Sequence, residues 1–346
     1  MGKKNFLEAL ARRPVERVPF WFMRQAGRYL PEYMELRAKA GSFLDMAYNP
    51  EFAAEVTMQP IRRFGMDAAI IFSDILVVPH ALGQHLEFVQ GEGPKLDALR
   101  SAEDFSRLSY HKFEETLAPV YAAIGKTREM LSSEGFDETA LIGFCGAPWT
   151  VACYMVEGGG SKDFLHVKKM AYGDPAGFAQ LIDLLVEASA AYLSAQVRAG
   201  AEALQIFDSW AGALDSHQFK RWVIAPTREI VKLVRAEHPH VPIIGFPRCA
   251  GYNYMAYVQE TGVDAVSLDH QVDTKWAVRA LQCQVPVQGN LDPVCLLAGG
   301  DSLSMAAEQI LADLSGGPFV FNLGHGIHKD TPVEHVEQLV KVIRES

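Results

Sequence analysis

Eight short apolar runs recur along the chain, each closed by a polar residue, a glycine or a proline. Residues 18–23 stop at Arg24, 68–72 at Ser73 and Asp74, 141–145 at Gly146, and 203–207 at Asp208 and Ser209. Residues 241–246 stop at Pro247, 265–268 at Asp269 and His270, 285–288 at Gly289 and Asn290, and 318–321 at Asn322, Gly324 and His325. The runs are rich in Val, Ile and Phe, and several are apolar on both faces, as buried parallel strands are. Helical periodicity lies between them. The clearest stretch is 180–198, with Leu181, Leu184, Leu185, Ala188, Ala191 and Tyr192 on one side and Gly200 as a stop. Further helices are expected over 50–64, 217–236, 304–314 and 332–344.

Strand alternating with helix implies βαβ units, and eight such units favour an α/β fold of the (β/α)8 TIM barrel type over an open doubly wound sheet. The 346 residues, 49% of them hydrophobic, are enough for one such barrel spanning residues 1–346 as a single domain. Two segments exceed a minimal barrel. Residues 79–110 carry Gly83, Gly91, Gly93 and Pro94 and read as a hairpin-bearing insertion after strand 2. Residues 155–164, with Gly158, Gly159 and Gly160, read as a flexible loop after strand 3.

Composition narrows the function classes. A net charge of −10 disfavours nucleic acid or an anionic membrane as partner, since both need a basic face. No uninterrupted apolar run approaches the roughly 20 residues of a membrane span, and residues 1–14 lack the apolar core of a signal peptide. Five cysteines without a C-x-x-C pair suit a reduced, cytoplasmic protein, and most read as buried small hydrophobes. No H-E-x-x-H, C-x-x-C or H-x-C spacing offers a metal site, and the glycines match neither phosphate-loop template.

In a barrel, chemistry collects at the carboxyl ends of the strands. Arg24 and Arg28, four apart, can share a helical face and clamp carboxylates with planar forks; the alternative is a solvated surface pair. Asp74 can accept N–H bonds, bind a metal or act as a base; the alternative is a helix N-cap. Tyr154 offers a hydroxyl or merely packs. His325, between two glycines, can approach a ligand or simply sit in a turn.

At these residues the chain resembles the uroporphyrinogen decarboxylase family. The resemblance rests on residues 23–31 (MRQAGRYLP), 72–76 (FSDIL), 154–161 (YMVEGGGS), 288–293 (QGNLDP) and 322–326 (NLGHG), in the family's order along nearly the whole chain. It implies a (β/α)8 barrel, usually a homodimer, that removes four acetate carboxyls from uroporphyrinogen III to give coproporphyrinogen III without metal or organic cofactor. It implies that Arg24, Gln25, Ala26, Gly27, Arg28 and Arg37 bind substrate, with Asp74 at the macrocycle centre and Tyr154, Phe207, Ser209 and His325 completing the contacts. Some relatives have His where this chain has Trp210, so a proton relay at that position is not available here.

The chemistry fits those residue types. A pyrrole protonated on carbon is the electron sink for departing carbon dioxide, so the substrate replaces a cofactor. An ionised Asp74 can accept the pyrrole N–H groups and oppose the developing positive charge. Arg24 or Arg28 is the donor the resemblance implies, whereas an ordinary pKa near 6.5 favours His325. Two other readings stay open: a cobalamin-linked methyltransferase with zinc on His and Cys, and a tetrapyrrole carrier without catalysis.

Overall fold

The structure is a computed structural model that describes residues 3–89 and 92–346. Seven parallel strands form one sheet in the order β1 (Ala68–Ile70), β4 (Ala140–Gly146), β5 (Ala203–Asp208), β6 (Ile243–Pro247), β7 (Ala265–Ser267), β8 (Val287–Leu291) and β9 (Phe319–Leu323). Consecutive parallel neighbours need a crossover, and helices supply each one. β4, β6, β7, β8 and β9 are buried at every residue, which accounts for their apolar character on both faces.

The sheet is strongly curled. β5 and β8 are separated by two strands, yet Gln288 Nε2 donates to Gln205 Oε1 at 3.1 Å inside it. Gln288 also donates to Ser267 Oγ (2.6 Å) and accepts from Trp21 Nε1 (2.8 Å). All four residues are buried. Such a polar layer persists in a core only because its members pair with one another.

The first apolar run departs from expectation. Within 18–23 only Phe20 forms a bridge, parallel to Phe321. The segment bonds on both sides: Phe321 N–H donates to Pro19 O (2.9 Å), and Asp67 N–H donates to Phe20 O (2.9 Å). Asp67 also accepts the Phe20 N–H and both terminal nitrogens of Arg17. A carboxylate thus occupies the positions where a longer ladder would run. The sheet itself is therefore seven-stranded and barrel-like.

Helix Pro50–Phe64 falls where periodicity places it, with Asn49 as its side-chain cap and Gly65 in the left-handed conformation at its end. The 217–236 helix is one path broken by a wide turn at Lys220–Ile224. The 180–198 helix begins earlier, at Pro175, capped by Asp174. By length and apolarity it is the one described helix able to cross a bilayer, but 61% of its apolar window is buried in the protein. Gln196 also stitches it to Phe144 of β4 through both backbone groups, at 2.9 Å each.

Between β1 and β4 lies an antiparallel hairpin, β2 (Leu86–Val89) with β3 (Gly93–Leu96). It packs against the Gly158–Gly160 turn, which is not a free loop. Gly158 is the left-handed cap of helix Pro148–Glu157, Leu96 N–H donates to Gly158 O, and Lys95 bridges Gly159. A side chain at Gly158 would meet Leu96 O and Ala98, and one at Gly159 would meet Pro94 O. These glycines permit close approach of the hairpin rather than motion.

Candidate active site

The 23–30 segment forms turns rather than a helix, so Arg24 and Arg28 do not share a helical face. Arg24 instead takes a left-handed φ of 58°, uncommon for a side chain of this size. Its neighbour Met23 is clamped on both sides by the end of the chain: Met23 N–H donates to Asn322 Oδ1 (3.0 Å), and Ile327 N–H donates to Met23 O (2.9 Å). Gly326 then faces the Arg24 side chain so closely that any β-carbon would overlap it. The glycine after His325 therefore serves Arg24, while Gly324 gives room to the His270 backbone.

Asp74 follows β1 beyond Phe72, whose N–H is held by Thr57 Oγ1 at 2.9 Å. It caps no helix: the next one, Val77–Ala81, begins after Leu76 without a side-chain cap. One carboxylate oxygen accepts the Leu76 N–H at 2.8 Å, and the other has no protein partner among the described residues. Burial raises the Asp74 carboxyl to about 6, against the opposing effects of that N–H and of Arg24. Tyr154 is pushed up to about 12 by burial and by the Asp74 charge, with Arg24 opposing. Arg24, Asp74 and Tyr154 thus act on one another from three separate elements.

His325 follows β9. Burial, then the charges of Arg24, Arg248 and His270, lower it to about 3. Only about one molecule in 10⁴ then carries imidazolium at pH 7. The pKa argument that favoured His325 as proton donor does not hold for the unliganded site. Its ring stands 6.3 Å from that of Phe246, which is 6.2 Å from Phe207, itself 5.5 Å from Phe144. Ser209 is half-buried just past β5, beside Trp210, whose ring lies 6.0 Å from Tyr154 and 5.1 Å from Phe164. Trp210 is thereby a wall residue.

The remaining expected positions are distributed as follows. Arg37 is half-buried on helix Pro31–Ala40, near enough to Tyr33 to oppose the effect of burial on its hydroxyl. Tyr33 packs edge-on against Phe72 at 5.9 Å. Arg28 is exposed, and Ala26 and Gly27 lie half-buried in the turn. Gln25 is wholly buried, and both its amide atoms lack a partner among the described residues. The described ion pairs use Arg13, Arg17, Arg62, Arg63, Arg107, Arg198 and Arg235, and none uses Arg24, Arg28, Arg37 or Arg248.

Two strand-end groups serve structure. Asp269 accepts Cys249 N–H (2.7 Å), Tyr254 O–H (3.0 Å) and Gln271 N–H (2.9 Å). Asn290 donates to Asp269 O and Val272 O. Sequence reasoning missed Arg248 because Pro247 looked like the end of a run. It also missed Tyr48, which hydrogen-bonds His80 Nδ1 at 2.8 Å and feels the Asp74 charge; no local pattern marks it. Of the cysteines only Cys145 and Cys153 are buried, both with raised thiols. No group of three metal-ligating side chains occurs among the described residues.

A methyltransferase from Methanosarcina mazei superposes with a TM-score of 0.82 over 99% of this chain and 97% of its own, at 22% identity, which is a likeness of fold. A putative vitamin-B12 independent methionine synthase from Listeria monocytogenes reaches 0.53 over 95% of each chain, at 14% identity. The uroporphyrinogen decarboxylase from Chelativorans sp. (strain BNC1) is 54% identical, covering 100% of this chain and 99% of that relative. That from Sphingopyxis alaskensis is 53% identical over 99% and 98%. The profile of the family described as Uroporphyrinogen decarboxylase (URO-D) matches residues 1–346, and with relatives above half identity over full length the chain belongs to the uroporphyrinogen decarboxylase family.

Proposed function

We propose that this uroporphyrinogen decarboxylase works at the mouth of the curled sheet, with Asp74 facing the pyrrole nitrogens and Arg24, Arg28 and Arg37 holding carboxylates. The observation that carries this is Asp74 itself: a carboxylate beyond a strand end, with one oxygen uncommitted, set between Arg24 and Tyr154. A group so placed offers an acceptor to converging N–H donors.

The reaction needs a proton on the pyrrole α-carbon next to the carbon that bears the acetate, so that the cation is conjugated with the acetate's methylene. The ring becomes an iminium, and the carbon–carbon bond of the departing carboxylate releases its electron pair into it as carbon dioxide leaves. The exocyclic methylene takes a proton, the α-carbon gives up the proton it gained so that the pyrrole recovers its electrons, and a methyl remains. Asp74 lowers the energy of the cationic ring because it is fixed and partly desolvated before the charge develops. Arg24 or Arg28 supplies the proton, or relays one from water; His325, neutral at pH 7, hydrogen-bonds the substrate. Gln25, Ala26 and Gly27 shape the turn that presents the arginines, and Phe207, Tyr154 and Ser209 line the ring's edge. The chain uses no metal or organic cofactor in this scheme.

Three further readings accompany it. Segment 18–23 is the eighth stave of a (β/α)8 barrel reduced to one bridge, with the β2–β3 hairpin as an insertion in a single domain. The protein is a homodimer in the cytoplasm: Tyr252, 93% exposed just past β6, and Leu165, next to the Trp210 wall, leave apolar surface for a second copy to cover. The substrate is the only partner required.

Asp74→Asn tests the site. Anaerobic turnover of uroporphyrinogen, followed as loss of carboxyl groups by chromatography, drops on the order of 10²-fold or more. Turnover near that of the unsubstituted enzyme refutes the role of Asp74.

A further inference from the structure

A third guanidinium stands at the same mouth. Arg248 follows β6 directly, two residues beyond Phe246, whose ring neighbours His325. Its backbone is held rigidly. Arg248 N–H donates to Asp208 O (3.1 Å), Gly212 N–H donates to Arg248 O (3.0 Å), and the next N–H, of Cys249, goes to Asp269 (2.7 Å). Cys249 sits at a left-handed φ of 59°, and a side chain at Gly212 would collide with it. Three strand ends thus cooperate to fix one short turn.

The side chain that this turn presents is unsatisfied. Arg248 Nε is enclosed and has no partner among the described residues, and no carboxylate there pairs with the guanidinium. Leaving a charged donor enclosed and unpaired is costly, and half-buried Arg235, by contrast, is answered by Asp264. On the adjoining strand end, His270 Nδ1 is likewise enclosed and has no partner among the described residues. The electrostatic reach of Arg248 to His325 places the positive charge on the cleft side. Two unpaired cationic or donor groups on adjoining strand ends, opposite Arg24, are complementary to an anion that arrives with the substrate.

We infer that Arg248 binds a carboxylate of the porphyrinogen, on the side of the mouth away from Arg28, as a substrate-binding residue that the motif-based assignment omits. This rests on the reading that the substrate sits at the mouth. A macrocycle with carboxylates around its whole rim needs cations on more than one side, and the 23–37 segment supplies only one. Guanidinium matches the need because its fork accepts a carboxylate in a planar, two-point contact.

The test is steady-state decarboxylation of uroporphyrinogen by Arg248→Gln and Arg248→Lys, with Asp74→Asn beside them and thermal melting of all three. The expected result is a KM raised roughly 10- to 100-fold in Arg248→Gln with kcat within about threefold, partial recovery in Arg248→Lys, and a weaker dependence of KM on salt. An unchanged KM overturns the inference. So does an equal loss of kcat in both variants with a lowered melting temperature, which marks a structural role. If Asp74→Asn stays fully active, the mouth reading itself fails; if it is impaired while Arg248→Gln is not, only the role of Arg248 fails.

Discussion

Gly326 lies flat against the aliphatic stem of Arg24, so that a methyl group at 326 would stand 2.6 Å from Arg24 Cγ. The last strand's loop therefore forms the floor on which the first arginine rests. Gly326 has no left-handed requirement, so alanine is tolerated by the backbone. Gly326→Ala is expected to displace Arg24 and lower kcat/KM about 10-fold or more, with little change in thermal stability. Activity and melting measured on the same sample separate the two effects.

The ionisation of Asp74 sets an acid limb. Its carboxyl is raised to about 6 by burial, so it is half protonated there, and a protonated carboxyl no longer offers a full negative charge to the pyrroles. The kcat/KM profile is expected to rise with pH through about 6 and level above it. Asp74→Asn removes that limb. A profile that is flat between pH 5 and 7 in the unsubstituted enzyme contradicts the assignment.

Asp208 is a buried acid that props the Ser209–Trp210 wall. Thr150 O–H donates to it, and Trp210 N–H donates in turn to Thr150 Oγ1 at 3.0 Å. Burial raises its carboxyl to about 7, and its second oxygen has no partner among the described residues. In the unfolded chain an aspartate titrates near 3.9. Between those values the folded state holds the extra proton, so stability is full below about 4 and is lost as pH rises through about 7. The loss is on the order of 4 kcal/mol. Asp208→Asn should match or fall below the unsubstituted protein at pH 4 and gain on it by pH 8, measured by urea unfolding across that range.

Asp269 carries the opposite prediction, because all three of its donors are bonded to it and two of them, Tyr254 and Cys249, are buried and half-buried. Asp269→Ala strands two backbone N–H groups and one tyrosine hydroxyl, and each orphaned group costs about 1–3 kcal/mol. A loss of roughly 3 kcal/mol or more is expected in denaturant unfolding. The turn bearing Arg248 loosens with it, so KM for uroporphyrinogen rises in the surviving folded protein.

Much of this was legible in the chain. Seven of the eight apolar runs are strands, since buried parallel strands need continuous apolar residues and end where polar groups meet solvent. The runs also placed Asp74, Ser209 and His325 at strand ends. The 18–23 run reads as a strand equal to the others, because local sequence does not reveal that the Asp67 carboxylate takes the Phe20 N–H. Gly158 and Gly159 look mobile for a related reason: a glycine needed for close contact and one needed for motion are written with the same letter.

Periodicity and punctuation determined the layers, the strand order's raw material and the end of the sheet where chemistry gathers, because these depend on which residues leave water. Only the tertiary structure decided which charges meet. Residues 24, 74, 154, 248 and 325 come from distant parts of the chain. Their convergence, the pKa shifts of Asp74, Tyr154 and His325 and the unanswered guanidinium of Arg248 arise from packing that joins the first turn to the last strand.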